Sequence, residues 1–489
     1  MTERESVGPI AIVDRPDDGL AVGTVVADLE ISRAWLIDPG AGRSGPGEVV
    51  VSDGRIEAVT WLTGPEAEGI DAEGIVVAPG FVDLHVHLRE PGREDAETVA
   101  SGLAAAGHGG FTTVCAMPNT DPPADEPGVV ARIRAAAAAS GSPVTVLPFG
   151  AVSAGRRGET LAAIGELADA GVAGFSDDGA PVRSGTLLRQ ALLYAGMVGR
   201  PVFDHAEDAD QTSGAEAAEG TIATILGLRG WPASAESAAV ARDIAVLADV
   251  LADEPRARLH LTHLSTAGSI ELVRAAKAAG LPVTCDVTPH HLALCDEWLA
   301  GARRFAWEAI DRDGSARDPW TDRAIDALPY DPTLRVNPPL RPATDAAACL
   351  AGLLDGTVDA IATDHAPHTV VDKEVEFGLA ANGISGIETA IGLVLAAVGA
   401  GVLPLDRAIE ALTVGPAMVL GERLGRRPGL VEGAPADLVV IDRSDGWTVD
   451  ADRLRSRGKN SPLLGRRLPG RVLFTLAAGR LAYRDPDLG

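Results

Sequence analysis

The chain is 489 residues long, 46% hydrophobic, and carries a formal net charge of −27. That length suits one large domain with a smaller companion, and no apolar run is long enough for a membrane helix. The charge argues against nucleic acid or an anionic membrane as a partner, but a small anionic substrate can still bind beside local arginines.

Residues 1–22 are polar and lack periodicity, so they are expected to form a flexible tail; no secretory signal follows the charged start. Over 23–79, short Val/Ile-rich runs alternate with turns. Glu48-Val49-Val50-Val51, Ser52-Asp53-Gly54-Arg55 and Ile56-Glu57-Ala58-Val59 together read as an antiparallel hairpin. The pattern returns in 426–489, for example at Asp437-Leu438-Val439-Val440-Ile441, so both chain ends are expected to build one small β-sandwich domain. Between them, 80–425 contains eight short apolar runs, each followed by an Ala-rich helical segment. The runs are Phe81–His87, Thr112–Met117, Val144–Phe149, Val172–Ser176, Pro201–His205, Arg258–His263, Pro282–Val287 and Asp359–Thr363. Strands alternating with helices predict an α/β fold, a (β/α)8 TIM barrel, whose active site lies at the C-terminal ends of its strands. A long polar stretch at about 296–330, holding Trp298, Trp307 and Trp320, interrupts the rhythm. It is expected to be a surface excursion, with a lid or an oligomer contact as the alternatives. Cys115, Cys285, Cys295 and Cys349 are too few for a disulfide framework, and the expected compartment is the cytoplasm.

The first run alternates apolar and polar residues, which places Asp83, His85 and His87 on one face of a strand and Val82, Leu84 and Val86 on the other. A His-x-His pair by itself is weak evidence for a metal. The other strand ends supply the rest: Asn119 after strand two, Asp177 and Asp178 at strand four, His205 at strand five, His263 at strand six, and Asp364 with His368 at strand eight. Four imidazoles and two carboxylates converging on one mouth match the nitrogen and oxygen donors of a zinc pair. Such metals lower the pKa of bound water to about 7, and a carboxylate ligand can carry a proton to a leaving nitrogen. This is machinery for hydrolysing an amide or closing one. His108 and His260 read as structural, and neither His290 nor His291 is assigned a catalytic role.

Asp83-Leu84-His85-Val86-His87-Leu88-Arg89-Glu90-Pro91-Gly92 resembles the first signature of the dihydroorotases, within the amidohydrolase superfamily. Ala362-Thr363-Asp364-His365-Ala366-Pro367-His368, followed by Lys373, resembles the second. Ala116-Met117-Pro118-Asn119-Thr120, Phe175-Ser176-Asp177-Asp178-Gly179 and Val336-Asn337-Pro338-Pro339-Leu340-Arg341 are similar to the class I branch. The resemblance implies one or two zinc ions, with two favoured, held by His85, His87, Asp178, His205, His263 and Asp364, the last doubling as acid/base. It further implies that His87, Arg89, Asn119, Asn337, His368, Asn382 and Gly383 hold substrate, although the family often carries Phe at the position of Asn382. The reaction implied is interconversion of N-carbamoyl-L-aspartate and (S)-dihydroorotate in de novo pyrimidine synthesis. The partners implied are a further copy of the chain and an aspartate carbamoyltransferase.

Two other readings compete. Hydantoinases, dihydropyrimidinases and allantoinases bridge their metals through a carbamylated lysine at strand four, but this chain's lysines are Lys277, Lys373 and Lys459, none near that strand. A catalytically dead scaffold for the carbamoyltransferase would have no reason to keep all six ligands.

Overall fold

The computed structural model describes residues 10–11, 21–425 and 427–488. Eight parallel strands form the centre: β1 (Phe81–Val86), β2 (Phe111–Ala116), β3 (Thr145–Pro148), β4 (Phe175–Ser176), β5 (Val202–Asp204), β6 (Leu259–Leu261), β7 (Val283–Val287) and β8 (Ala360–Ile361). β1–β3 share one ladder and β4–β8 another. Parallel bridges from Gly150 to Phe175 and from Val86 to His365 close the two seams, making a barrel. Each predicted run coincides with one strand, trimmed or shifted by a few residues. Helices Val99–His108, Gly185–Met197 and Ala267–Ala278 begin at Thr98, Ser184 and Thr266, whose side-chain oxygens accept a backbone N–H of the first turn. Such caps satisfy donors that have no intrahelical partner and fix where each loop at the mouth ends.

The barrel is filled by Val82, Leu84, Cys115, Met117, Phe149, Phe203, Ala360 and Ala362. The Phe149 and Phe203 rings lie 4.6 Å apart, and burying each contributes about 1.5–3 kcal/mol. This interior corrects the simple alternation expected along β1. Val82 and Leu84 face inward, while Val86 joins the outer core around Phe111 and Leu103. The register explains the switch: Asp83 pairs with Val114 and Val86 with Ala116, so β1 spends an extra residue between them. A bulge of this kind re-aims the side chains beyond it. Asp83 does not share the surface that His85 and His87 present; its carboxylate accepts the Thr363 N–H at 2.9 Å and the His85 N–H at 3.1 Å, pinning β1 to the end of β8.

Both chain ends contribute to one sheet, in the order Arg480–Arg484, Arg467–Ala477, Leu438–Thr448, Ile75–Pro79, Asp28–Asp38, Arg43–Ser52, Arg55–Trp61. Its pairings are antiparallel except for Asp28–Asp38 against Ile75–Pro79, which is parallel because the chain crosses back before entering the barrel. Asp53 and Gly54 both adopt positive φ, which matches the turn of the 48–59 hairpin. Ile31, Leu36, Val49, Val51, Val440, Phe474 and Leu481 fill the sheet's own core. The predicted N-terminal tail lies outside the described residues apart from Ile10–Ala11, which pair antiparallel with Ile31 and Glu30, and residues 21–22.

The excursion at 296–330 is only partly a surface feature. Trp298 is fully buried among Leu294, Leu299, Ala306 and Leu334, and its Nε1 donates to the Arg304 carbonyl at 2.7 Å. Trp320 and Leu328 stay exposed. Among the described residues no helix is long and apolar enough to cross a membrane.

Candidate metal centre and substrate pocket

Six side chains converge at the C-terminal mouth. His85 and His87 come from the bulged end of β1, and Asp178, His205, His263 and Asp364 from the turns that follow β4, β5, β6 and β8. All six are buried. Asp178 lies between the histidines. Its Oδ2 is 3.0 Å from His85 Nε2 and 3.5 Å from His87 Nε2, while its Oδ1 is 3.3 Å from both His205 Nδ1 and His263 Nε2. Asp364 Oδ1 lies 3.0 Å from His87 Nε2 and 3.5 Å from His85 Nε2. His205 Nδ1 and His263 Nε2 approach within 3.0 Å of each other. Two overlapping groups, His85/His87/Asp364 and His85/Asp178/His263, have donor atoms close enough for a shared cation.

This donor set fits a pair of divalent cations. Burial disfavours charge on His85, yet Asp178 and Asp364 more than offset it and raise its pKa to about 9. His205 is likewise opposed by burial, but its bonds to Asp178 and Glu207 lift it to about 10. Burial would raise Asp178, but His85, His205 and His263 hold it well below the carboxylate range. A field that draws protons onto buried imidazoles also attracts metal, and metal binding must then displace those protons.

The backbone is strained at this mouth. Arg89, His263 and Asp364 adopt φ of 58°, 38° and 47°, in the left-handed region that side chains avoid. Surrounding bonds hold them there. The His263 N–H donates to Asp286 Oδ1 at 2.7 Å, and Asp286 Oδ2 meets His260 Nε2 at 2.8 Å. His260 is thus the structural histidine expected, and Asp286 is its reason. His108 is also structural, paired to Glu388 at 2.6 Å.

Sequence reasoning missed the residues that orient this cluster. Glu207 Oε2 lies 3.0 Å from His205 Nε2, which leaves Nδ1 to face the centre. Arg156 donates to the carbonyls of Asp177 and Asp178 and braces the turn that presents Asp178. Asp177 points away, accepting the Ser153 N–H at 3.0 Å. Partners of this kind fix the ring orientation and basicity of metal ligands. Position offered one signal: Glu207 stands two residues beyond His205.

The expected substrate residues fall into three places. Arg89 Nε donates to the Pro367 carbonyl at 3.2 Å, and its Nη2 lies 3.3 Å from His368 Nε2. His368 Nε2 also bonds the Asn382 carbonyl at 2.7 Å. Burial, then the Arg89 charge, push His368 down to about 3, so it is neutral at pH 7. Asn382 is exposed and meets His368 only through its backbone. A Cβ on Gly383, whose φ is 138°, would fall 2.5 Å from that of Ala366. Across the mouth, Asn119 Oδ1 is 2.9 Å from His87 Nδ1, so Asn119 orients the His87 ring. Asn337 lies apart from both: its Nδ2 donates to Glu207 at 3.1 Å, and its Oδ1 is buried without a partner.

Residues 74–269 match the family model described as Dihydro-orotase-like. A dihydroorotase of Anaeromyxobacter sp. (strain K) is 47% identical over 459 residues, covering 94% of this chain and 98% of that protein. A dihydroorotase of Pelotomaculum thermopropionicum is 44% identical, covering 94% and 99%. Among solved structures, an L-hydantoinase (dihydropyrimidinase) from Arthrobacter aurescens superposes with a TM-score of 0.72 at 25% identity, covering 93% of this chain and 96% of that one. A D-hydantoinase (dihydropyrimidinase) from Thermus sp. gives 0.68 at 23%, covering 93% and 95%.

Proposed function

The chain belongs to the dihydroorotase family, and from that premise we propose how its own residues carry the interconversion of N-carbamoyl-L-aspartate and dihydroorotate. The observation that supports the proposal most is the placement of Asp178, with one oxygen toward His85 and His87 and the other toward His205 and His263. His85, His87 and Asp364 would hold one zinc, His205 and His263 a second, with Asp178 shared. When bound, such a pair supplies Lewis acidity at the scissile carbonyl and a water acidic enough to ionise near neutral pH.

The remaining work falls to the chain. The Asp364 carboxylate takes the proton released by the attacking water and returns it to the ring nitrogen as the C–N bond breaks. Arg89 binds the ring carboxylate from one side, joined by His368 when its one N–H turns from the Asn382 carbonyl to the carboxylate, and the Asn119 amide nitrogen binds it from the other. His87 borders the same pocket. The unpartnered Asn337 Oδ1 accepts a ring N–H, and the backbone at Asn382 and Gly383 closes over the ring edge. A lysine bridge of the hydantoinase type has no candidate, because each lysine is engaged elsewhere. Lys277 pairs with Asp359, Lys373 donates to the Arg335 and Ala381 carbonyls, and Lys459 donates to those of Leu454 and Ser456.

The proposal divides the chain into a barrel (80–425) and a sheet domain (23–79 with 426–489), supported by the core the sheet keeps on one face, while Val76, Val439 and Ile441 on its other face pack into the barrel's outer core. It places the enzyme in the cytoplasm, in pyrimidine synthesis, in keeping with four free, buried cysteines. It extends to a homo-oligomer able to engage an aspartate carbamoyltransferase. Assaying dihydroorotate, hydantoin and allantoin side by side tests the substrate. Dihydroorotate should be turned over far faster than the other two, and a preference for hydantoin would overturn the assignment.

A further inference from the structure

We propose that Asn460, nearly a hundred residues beyond β8 in sequence, is a positioning residue for substrate recognition, its amide locking together the two loops that carry His368 and Gly383. The inference rests on the carboxylate clamp described above.

The side chain is buried and its amide reaches both loops. Oδ1 accepts the His368 backbone N–H at 2.8 Å and lies 3.0 Å from the Ser385 hydroxyl, while Nδ2 donates to the Ala366 and Gly383 carbonyls at 3.0 Å each. A primary amide has two N–H donors and an acceptor oxygen, so both donors and the oxygen are engaged. No other side chain of this size can donate to two carbonyls and accept a backbone N–H at once. The backbone adds a further tie, from the Ser385 N–H to the Asn460 carbonyl at 3.0 Å.

The whole segment from 456 to 460 lies flush on the loop after β8. A Cβ on Gly458 would fall 2.7 Å from the His368 nitrogen, and the Gly458 carbonyl accepts the Ser385 hydroxyl at 2.7 Å. Upstream, the Ser456 hydroxyl and Arg457 N–H donate to Glu97, whose carboxylate lies 3.4 Å from His365 Nε2. No bond from Asn460 reaches a residue of the metal-facing cluster. Its influence should therefore fall on how tightly substrate is held rather than on metal content or the chemical step.

Asn460→Asp preserves shape while removing both donors and setting a carboxylate against two carbonyls. The KM for dihydroorotate should rise about tenfold or more, equivalent to about 1.4 kcal/mol. Turnover should stay within about twofold to threefold of wild type, with metal content unchanged. A general loss of structure would not produce that split. The decisive step is a double-mutant cycle. If Asn460 acts through His368, its effect on KM should shrink to less than about twofold in a His368→Ala background, since coupled residues are not additive. Full additivity, loss of metal, or a fall in turnover at unchanged KM would overturn the inference. Should Asn460→Asp fail to fold, Ser385→Ala removes the hydroxyl that sits against Asn460 Oδ1 and donates to the Gly458 carbonyl, and should raise KM by a few fold, again only when His368 is present. His368→Ala alone leaving KM unmoved would instead refute the clamp, and with it any role for Asn460 through His368.

Discussion

Replacing Arg89 with methionine removes the one full positive charge of the proposed clamp while keeping an unbranched apolar side chain. Burial pushes Arg89 down to about 10, so it remains charged at neutral pH. Its bonds to the Pro367 carbonyl and toward His368 hold the guanidinium in place and leave further N–H groups for a carboxylate. A hydrogen bond to a charged group contributes about 1.5–3 kcal/mol, and each step of about 1.4 kcal/mol is tenfold. Neutral His368 supplies no charge of its own and would lose its guanidinium neighbour as well. Arg89→Met should therefore lower kcat/KM for dihydroorotate by roughly ten- to a hundredfold or more, with metal content unchanged. Hydrolysis of dihydroorotate and of uncharged dihydrouracil would be followed in parallel, and the uncharged ring should gain little. Unaltered dihydroorotate kinetics in the variant would refute the clamp.

Three further substitutions separate the roles of the centre. Asp178→Ala removes the carboxylate shared between the histidines and should abolish hydrolysis with loss of at least part of the metal; full metal content and normal turnover would shift the role to Asp177. Asp364→Asn keeps an oxygen near His87 but cannot take a proton, so turnover should collapse while a substrate analogue still binds in calorimetry; turnover near wild type would mean that another group moves the proton. Glu207→Gln should weaken zinc affinity or activity by about 10- to 100-fold, as expected for a group that orients a ligand; zinc titrations matching wild type would count against it.

The barrel was legible because its strands are short apolar runs at regular spacing, and the buried His/Asp cluster because its members stand at the ends of those runs. What stayed hidden depends on register and on distant contact. The bulge in β1 could not be read from alternation, since the extra residue is visible only against β2, and it reversed the expected partners of Val86 and Asp83. Asp286 looked like an ordinary strand residue until His260 and the His263 N–H were found on its two oxygens. Trp298 sat in a polar stretch whose periodicity is poor; it lies in a single short 3-10 helix, Asp296–Ala300, and is buried with Leu334 and Ala306 from distant turns. Asn460 gave no local signal, because its partners lie some 75 to 95 residues earlier in the chain.

The most direct test of an aspartate-bridged metal pair is reconstitution of the metal-free protein with zinc in bicarbonate-free buffer, with dihydroorotate hydrolysis as the readout. An aspartate bridge needs no carbon dioxide, so activity should rise to a plateau near two zinc ions per chain and gain nothing from added bicarbonate. A requirement for bicarbonate, or full activity in protein stripped of metal, would contradict the account.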